Sequence, residues 1–302
     1  MKPKFIACLT AVSLCSCLSS QAASLTWNSS VAGGTWDTTT STNWLDGASA
    51  ATWNNTTPDS AIFGATGVGT VTLGAAITAN SVTANTAGYT ITGNTLTLGG
   101  ASPTVTTNAD IAISSVLAGN SGFTKAGTGK LALSAQSTMT GTLSVTGGTL
   151  NFPTAYGNGS SSIKVSAINL GPGTTMTLAS LAFGWYANNA SGLTVNLDEG
   201  ATMESTGSFG MAFVLKGATI TNTNSSRLDL GGYGTFAASV STLASANSSI
   251  LKPGGAGVYL RPDSGQSSYT FNVADGAAAV TWMSKAPSPP MARPGSSRRA
   301  PD

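Results

Sequence analysis

The sequence predicts an all-β protein wound as a solenoid. Short runs in which apolar residues alternate with threonine, at residues 69–73, 89–92 and 95–98, are typical of half-buried strands. Glycine-rich breaks separate these runs and indicate turns. Residues 168–176 recur 27 residues later as 195–203, and weaker copies begin at Leu228 and Phe271, at further spacings of 33 and 43 residues. Such recurrence favours stacked coils over a compact sandwich, which the short strands alone would also fit.

The composition excludes several classes of function. The chain has 302 residues, with 44 Thr and 40 Ser, only 8% charged residues and no His. Without histidine there is no Ser-His-Asp triad, Cys-His dyad or His-ligated metal, and we expect no cofactor. Residues 5–281 carry a net charge of −3, which argues against a nucleic-acid partner.

Residues 1–23 have the three parts of a secretory signal peptide. Lys2 and Lys4 precede an apolar run from Phe5 to Leu18, and small residues around Ala22 suit signal peptidase. The run is too short and too polar for a membrane-spanning helix, so we expect a secreted or cell-surface protein.

The three cysteines all lie in this signal segment, at Cys8, Cys15 and Cys17. The mature chain would then contain no disulfide, and packing and backbone pairing must supply its stability. An alternative is lipoprotein processing, which would leave Cys17 as an acylated N-terminus.

Residues 24–63 are predicted to form a Trp-rich N-terminal cap. Trp27, Trp36, Trp44 and Trp53 recur at intervals of 9, 8 and 9 residues, as expected for one side of successive strands packed inward. The alternative is a sugar-binding surface in which Trp36 and Trp44 stack on pyranose rings.

Residues 121–152 resemble the repeat of the autotransporter-associated β-strand repeat proteins. The residues on the repeat pattern that we assign as structural are Lys125, Gly127, Gly129, Leu131, Leu133, Gly141, Gly148 and Leu150. Ala135, Ser137 and Met139 depart from it, where Gly, Asn and Tyr are usual. The resemblance implies an exported, right-handed parallel β-helix over residues 64–281, similar to adhesin-like passenger domains. It also implies that attachment to the outer membrane would come only from a C-terminal barrel or other anchor, which we expect to be missing from this chain.

Residues 282–302 do not continue the strand pattern and are predicted to be a disordered tail. They contain five prolines and three arginines without alternation. If the reading frame is shifted by one base, the codons of Trp282 and Met291 can only yield Asp and Gly. Suitable codon choices at the other positions then give an amino-acid sequence that aligns with residues 110–129. We interpret the tail as the product of a frameshift near Val280 that cuts off a second repeat and leaves an N-terminal fragment.

Two groups of residues could carry chemistry. The best available candidates for a β-helix polysaccharide lyase are Asp198, Glu199, Glu204, Asp229 and Arg227. In such an enzyme the carboxylates would hold calcium and the arginine would act as the base. Neighbouring carboxylates in a turn are more often simply solvated, so no catalytic or metal site is assigned. Residues 127–130 lack the remaining positions of a phosphate-binding loop.

The sequence therefore predicts a non-enzymatic, surface-displayed or secreted structural protein with an adhesin-like role. A surface glycan or another copy of the chain is the expected partner. The alternatives are a carbohydrate-binding module that uses the N-terminal tryptophans and a β-helix lyase.

Overall fold

The computed structural model describes residues 22–156, 162–179, 193–206, 212–222, 228–229, 240–252, 258–259 and 271–274. The regular elements in these ranges are all β-strands. Residues 1–21 of the predicted signal segment, the predicted tail 282–302 and Arg227 lie outside the described residues. In chain order the strands are β1 (Ser24–Trp27), β2 (Gly34–Trp36), β3 (Trp44–Asp46), β4 (Ser49–Ala51), β5 (Ser60–Phe63), β6 (Thr70–Leu73), β7 (Ile77–Ala79), β8 (Ser81–Ala84), β9 (Tyr89–Gly93), β10 (Leu96–Leu98), β11 (Thr104–Thr107), β12 (Ile111–Ile113), β13 (Leu117–Ala118), β14 (Gly122–Ala126), β15 (Lys130–Leu133), β16 (Thr142–Val145), β17 (Thr149–Phe152), β18 (Ala167–Leu170), β19 (Thr175–Leu178), β20 (Thr194–Leu197), β21 (Thr202–Ser205), β22 (Ala212–Leu215), β23 (Thr219–Asn222), β24 (Leu228–Asp229), β25 (Val240–Thr242), β26 (Ile250–Lys252), β27 (Val258–Tyr259) and β28 (Phe271–Val273).

The chain winds in coils along two long sheets. Sheet 1 has the order β28-β25-β22-β20-β18-β16-β14-β11-β8-β5-β1-β3-β4, and sheet 2 has the order β2-β6-β9-β12-β15-β17-β19-β21-β23-β26. From β5 to β26, each coil contributes one strand to each long sheet, and that strand pairs in parallel with its equivalent in the next coil. Strands β7, β10 and β13 form sheet 3, and β24 pairs with β27 in sheet 4. This stacking is a parallel β-solenoid, so the predicted fold is confirmed, while its right-handed sense stays a prediction from the resemblance.

The 27-residue echo in the sequence is a contact between adjacent coils. Ile168 is the Cα partner of Val195 in sheet 1, and Met176 is the partner of Met203 in sheet 2. The expected copy at Leu228 is wrong, because Leu228 lies in β24 of sheet 4. The next coils of sheet 1 are instead β22 and β25. Their strands keep the alternation of apolar residues, but the turns that follow them differ in sequence from the turns at 171–174 and 198–201, which are part of the echo. The actual starts of successive sheet 1 strands, from β5 onward, are 18 to 31 residues apart.

Inward-facing side chains stack into continuous columns. Each fully buried aliphatic side chain contributes about 1.5–3 kcal/mol, and these columns therefore supply the apolar core of the solenoid. Among the nine residues of one sheet 1 column, which are all at most 2% exposed, a single residue is charged. The column consists of Leu25, Ala61, Val82, Val105, Lys125, Val145, Leu170, Leu197 and Leu215.

The N-terminal end of the solenoid is built differently from the coils. Strand β3 pairs antiparallel with β1, and β4 pairs antiparallel with β3, so a hairpin ends sheet 1. Beneath it Trp27, Trp36, Trp44 and Trp53 are 0–2% exposed. Seven pairs among these rings and that of Phe63 have ring centroids 4.6–5.9 Å apart, and most of these pairs are edge to face. The regular tryptophan spacing therefore corresponds to an inward-packed aromatic cluster.

Candidate functional site: the corner around Lys125

The residues of the predicted structural repeat lie on two consecutive coils. Leu131 and Leu133 point into the core from β15, and Leu150 points inward from β17, where it is the Cα partner of Leu131. The glycines of the repeat occupy the turns between strands, at Gly127, Gly129, Gly141 and Gly148.

Two of these turns require glycine because the coils approach each other closely. Gly127 has φ +79°, and a Cβ there would lie 2.4 Å from the carbonyl oxygen of Thr107 in the preceding coil. Gly148 has φ +63°, and a Cβ there would lie 2.4 Å from the carbonyl oxygen of Gly129. Any other residue would be strained and would also push the coils apart.

Lys125 lies at the corner where sheet 1 turns toward sheet 2. Its Cα partners are Val105 in the preceding coil and Val145 in the following one, so the lysine interrupts a column of aliphatic residues. The residue is 0% exposed. Its alkyl stem occupies a core position while its charged end reaches the turn.

The Lys125 ammonium donates three short hydrogen bonds to backbone carbonyls. Nζ lies 2.8 Å from the oxygen of Gly127, 2.6 Å from that of Gly129 and 2.6 Å from that of Gly147. Gly127 and Gly129 belong to the turn of the same coil, whereas Gly147 belongs to the next. An ammonium has three N–H donors, so this arrangement uses all of them.

The preceding coil joins the same corner through Thr107. Its hydroxyl is fully buried and lies 2.9 Å from the carbonyl oxygen of Gly129 and 3.3 Å from that of Ala126. Three consecutive coils are therefore tied together at this point, by a threonine from one, a lysine from the second and a glycine carbonyl from the third.

The charge of Lys125 is balanced mainly by carbonyl dipoles. Burial lowers the pKa of Lys125 to about 8, and the nearby carboxylate of Asp110 opposes that shift. Asp110 pairs with a different residue, since its Oδ2 lies 3.5 Å from Nζ of Lys130 and its Oδ1 accepts the Lys130 backbone N–H at 2.8 Å. No carboxylate in the described part of the chain forms an ion pair with Lys125.

This geometry suits a structural role and does not suit a nucleophile or a base. A pKa of about 8 leaves the Lys125 amine protonated at pH 7. Its protons are directed at carbonyls and its nitrogen is shielded from solvent, so it offers no free lone pair to a substrate. Lys125 was predicted as a repeat residue, but nothing in the sequence indicated that its partners would be glycine carbonyls on two coils.

The acidic residues considered for a lyase are engaged separately. Asp198 Oδ1 accepts the Glu199 backbone N–H at 2.8 Å and lies 3.0 Å from Nζ of Lys216, and these contacts lower the pKa of Asp198. Glu199 accepts a hydrogen bond of 2.9 Å from the hydroxyl of Ser245. Glu204 stands exposed on the outer face of β21.

No metal-binding group forms from these carboxylates. Within the described ranges, no three His, Cys, Asp or Glu residues are placed to hold a metal ion. Asp229 lies in β24, in the separate sheet 4, and Arg227 is outside the described residues.

The tryptophans considered for glycan binding are enclosed in the core. Trp36 and Trp44 are both 0% exposed and contact each other with ring centroids 4.9 Å apart. Stacking on a pyranose requires an exposed ring face, so this burial corrects the expectation of a glycan contact at Trp36 and Trp44.

The outer face of sheet 1 is hydroxyl-rich and uncharged over many coils. From β5 to β22 the outward side chains that the structure describes include no Lys, Arg, Asp or Glu. These eight strands span about 34 Å at the usual spacing of about 4.8 Å. The outward residues are Ser60, Ile62, Ser81, Thr83, Thr104, Thr106, Thr124, Ala126, Thr142, Ser144, Ala167, Asn169, Thr194, Asn196 and Val214.

The outer face of sheet 2 does carry charge. Lys130, Glu204 and Lys252 lie on its strands β15, β21 and β26. The two long faces of the solenoid therefore differ in chemistry, and a partner could distinguish them.

One curated protein is similar to part of this chain. Adhesin BmaC autotransporter of Brucella suis biovar 1 (strain 1330) is 42% identical over 117 residues, which cover 38% of this chain and 3% of that protein. No family model matches the chain, and no solved structure is significantly similar to it. Among the described residues there is no helix long and apolar enough to cross a membrane. The similarity supports an autotransporter-like relationship for the matched part of this chain. That part covers only a small fraction of the length of the Brucella protein.

Proposed function

We propose that this chain is an exported, adhesin-like structural segment that acts by presenting a long outer surface and has no catalytic centre. The observation that carries the proposal is the uncharged face of sheet 1, which continues over eight coils. The partial similarity to an autotransporter adhesin agrees with a surface role.

The chemistry of this face favours an uncharged partner. Threonine, serine and asparagine side chains can donate and accept hydrogen bonds without desolvating a charge, so a neutral hydroxylated surface suits them. A surface glycan or the same face of another copy has this character. The net charge of −3 over residues 5–281 argues against nucleic acid.

The remaining segments have supporting roles in this proposal. Residues 1–23 direct export, and residues 24–63 cap the exposed end of the solenoid with a hairpin and a tryptophan cluster. Residues 64–281 form the passenger segment, and any attachment to the outer membrane comes from an anchor beyond it.

Binding to cultured epithelial cells tests the adhesive role. We expect the fluorescently labelled chain to bind these cells, and the double variant Thr106→Lys with Ser144→Lys to lose most of the binding, because both lysines stand on the sheet 1 face. The matched control is Thr90→Lys with Thr175→Lys on sheet 2, which should bind as wild type does. Failure of the wild-type chain to bind contradicts the adhesive role, and equal loss in both variants contradicts the assignment of the sheet 1 face.

A further inference from the structure

We infer that the three backbone carbonyls at the corner around Lys125 form a binding site for a primary ammonium group. In the native protein the ammonium of Lys125 occupies this site. This inference concerns the architecture of the corner and does not depend on the adhesive role.

The first observation is that the carbonyls converge from different coils. The oxygens of Gly127, Gly129 and Gly147 all lie 2.6–2.8 Å from one nitrogen. Among the described residues, Lys125 is the only hydrogen-bond partner of the Gly127 and Gly147 oxygens. Without a donor these two oxygens, which belong to half-buried glycines, would lose this hydrogen-bond partner.

The second observation is that glycine creates the space. Any Cβ at Gly127 would meet the Thr107 carbonyl oxygen at 2.4 Å, and any Cβ at Gly148 would meet the Gly129 carbonyl oxygen at 2.4 Å. The turns therefore bring backbone against backbone, and their carbonyls can reach a common point only because no side chains intervene. A set of oxygen ligands around one positive centre is the arrangement that cations prefer in proteins.

The third observation is that Lys125 lies in a buried column of aliphatic side chains, where a charge is unfavourable unless polar groups bind it. In the same column the neighbours of Lys125 are Val105 and Val145, and each coil from β16 to β22 supplies a valine or leucine. A buried charge without partners is strongly unfavourable, and the three hydrogen bonds offset part of the desolvation of the Lys125 ammonium. The nearest carboxylate, Asp110, is already paired with Lys130.

The titratable groups around the site are few. Asp110 precedes β12 and Lys130 begins β15, and they pair with each other beside the corner. The strands packed directly on Lys125 present Val105 and Val145, which do not titrate. At neutral pH the ammonium is therefore the single cation within this set of carbonyls.

Chemical rescue of a shortened side chain tests the inference. Lys125→Ala removes a propylammonium fragment and leaves its space vacant, whereas Lys125→Met fills most of that space without a donor. At pH 7 we expect both variants to unfold at a lower temperature than wild type. Millimolar n-propylammonium should raise the unfolding temperature of Lys125→Ala and leave that of Lys125→Met and of wild type unchanged.

Two control solutes distinguish binding of an ammonium group from simple filling of the space left by the lysine side chain. Propan-1-ol has the same chain without the charge, and tetramethylammonium has the charge without N–H donors, so neither should rescue Lys125→Ala. Rescue by propan-1-ol equal to that by propylammonium, or an unfolding temperature of Lys125→Ala equal to that of wild type, would overturn the inference.

Amine acetylation of the wild-type protein gives a readout that needs no variant. Acetic anhydride should modify Lys130 and Lys216 in the folded chain, because both side chains are about 40% or more exposed. Lys125 should react only after unfolding in urea, as followed by peptide mass spectrometry. Modification of Lys125 in the folded protein at the rate of Lys130 would overturn the inference even if the variants failed to fold.

Discussion

The side-chain amide of Asn196 donates a hydrogen bond of 2.7 Å to Oδ1 of Asn169, its Cα partner in the preceding coil of sheet 1. The two residues occupy the same position of the 27-residue sequence echo. Identical side chains in register on adjacent parallel strands can form such a ladder, and each bond adds to the backbone pairing between coils. The hydroxyl of Thr177 donates to Asn151 Oδ1 at 2.9 Å in the same way on sheet 2.

The asparagine ladder should show coupling in a double-mutant cycle. We expect Asn169→Ala and Asn196→Ala each to lower the free energy of unfolding by about 1 kcal/mol, since each removes the same partly buried hydrogen bond. The double variant should lose less than the sum of the two. Urea denaturation measures this, and the pair Asn169→Ala with Thr221→Ala, on different sheets, should be additive. Additivity of the asparagine pair would contradict the ladder.

Replacing the buried lysine should be costly although the replacement is apolar. Lys125→Met leaves the carbonyls of the half-buried Gly127 and Gly147 without the Lys125 donor, and a polar group removed from water without a partner costs about 1–3 kcal/mol. We therefore expect a loss of about 1–3 kcal/mol in urea denaturation at pH 7. The matched control Lys130→Met removes only a half-exposed ion pair and should cost less than about 1 kcal/mol. Equal effects of the two substitutions would contradict the role of the corner.

The pH dependence of stability should reveal the lowered pKa of Lys125. In the folded protein its pKa is about 8, below the ordinary value of 10.5, so the unfolded chain binds more protons between these values. The pH-dependent part of the contribution of Lys125 to the free energy of unfolding should therefore increase as the pH rises from 8 toward 10.5, and only this part is absent below pH 8, where the three hydrogen bonds of the ammonium remain. The neutral amine still donates two hydrogen bonds, whereas methionine donates none.

The difference between wild type and Lys125→Met isolates this contribution. We expect the difference in the free energy of unfolding to increase between pH 8 and pH 10. Burial raises the pKa of Tyr89, which lowers stability at higher pH in both proteins, and the comparison cancels it. A difference that decreases over this interval would mean that the pKa of Lys125 is raised.

Asp37 should stabilise the segment that follows β2 in a pH-dependent manner. Partial burial favours the protonated form, but hydrogen bonds from Ser41, Thr40 and Thr39 outweigh it and hold the pKa of the Asp37 carboxyl well below its usual value. Oδ1 accepts the three backbone N–H groups at 2.9–3.1 Å. The stabilisation is present above the ordinary pKa of 3.8 and is lost as the pH falls below it.

The substitution Asp37→Asn should therefore matter at neutral pH and lose its effect in acid. We expect thermal unfolding to show a lower midpoint than wild type at pH 7 and a difference that shrinks below about pH 4. Asp46→Asn, at an exposed carboxylate of β3, is the control and should change little at either pH. A pH-independent effect of Asp37→Asn would contradict the assignment.

The sequence was sufficient to predict the fold but not the geometry of the corner. Alternation of threonine with valine or leucine determines which side of each strand is buried, and the echo between Ile168 and Val195 identified a true coil repeat. The coil at β22 was missed, because Phe213 and Leu215 keep the alternation while the turn between them and the next strand differs in sequence. Strand pairing follows the pattern of burial, whereas loop length varies freely at the surface.

The site residues were predictable as a set but not in their contacts. The resemblance selected Lys125, Gly127 and Gly129, and these do meet in space. That Gly147 of the next coil completes the set depends on the register between coils, which no local pattern specifies. For Trp36 and Trp44 the sequence left two alternatives, because even spacing is compatible with an exposed row and with a buried row. The packing shows that both side chains are buried.

Disulfide formation between engineered cysteines tests the stacked coils most directly. Thr83 and Thr106 are Cα partners on adjacent parallel strands of sheet 1, about 4.8 Å apart at the usual strand spacing, which is within the range for a disulfide. No cysteine occurs after residue 17, so the variant Thr83→Cys with Thr106→Cys has no competing thiol in the described residues. We expect mild oxidation to join these two residues, which are 23 positions apart, and to leave the control Thr83→Cys with Thr90→Cys reduced, because Thr90 lies on sheet 2. Cross-linking of the control pair in preference to the first would contradict the parallel β-solenoid.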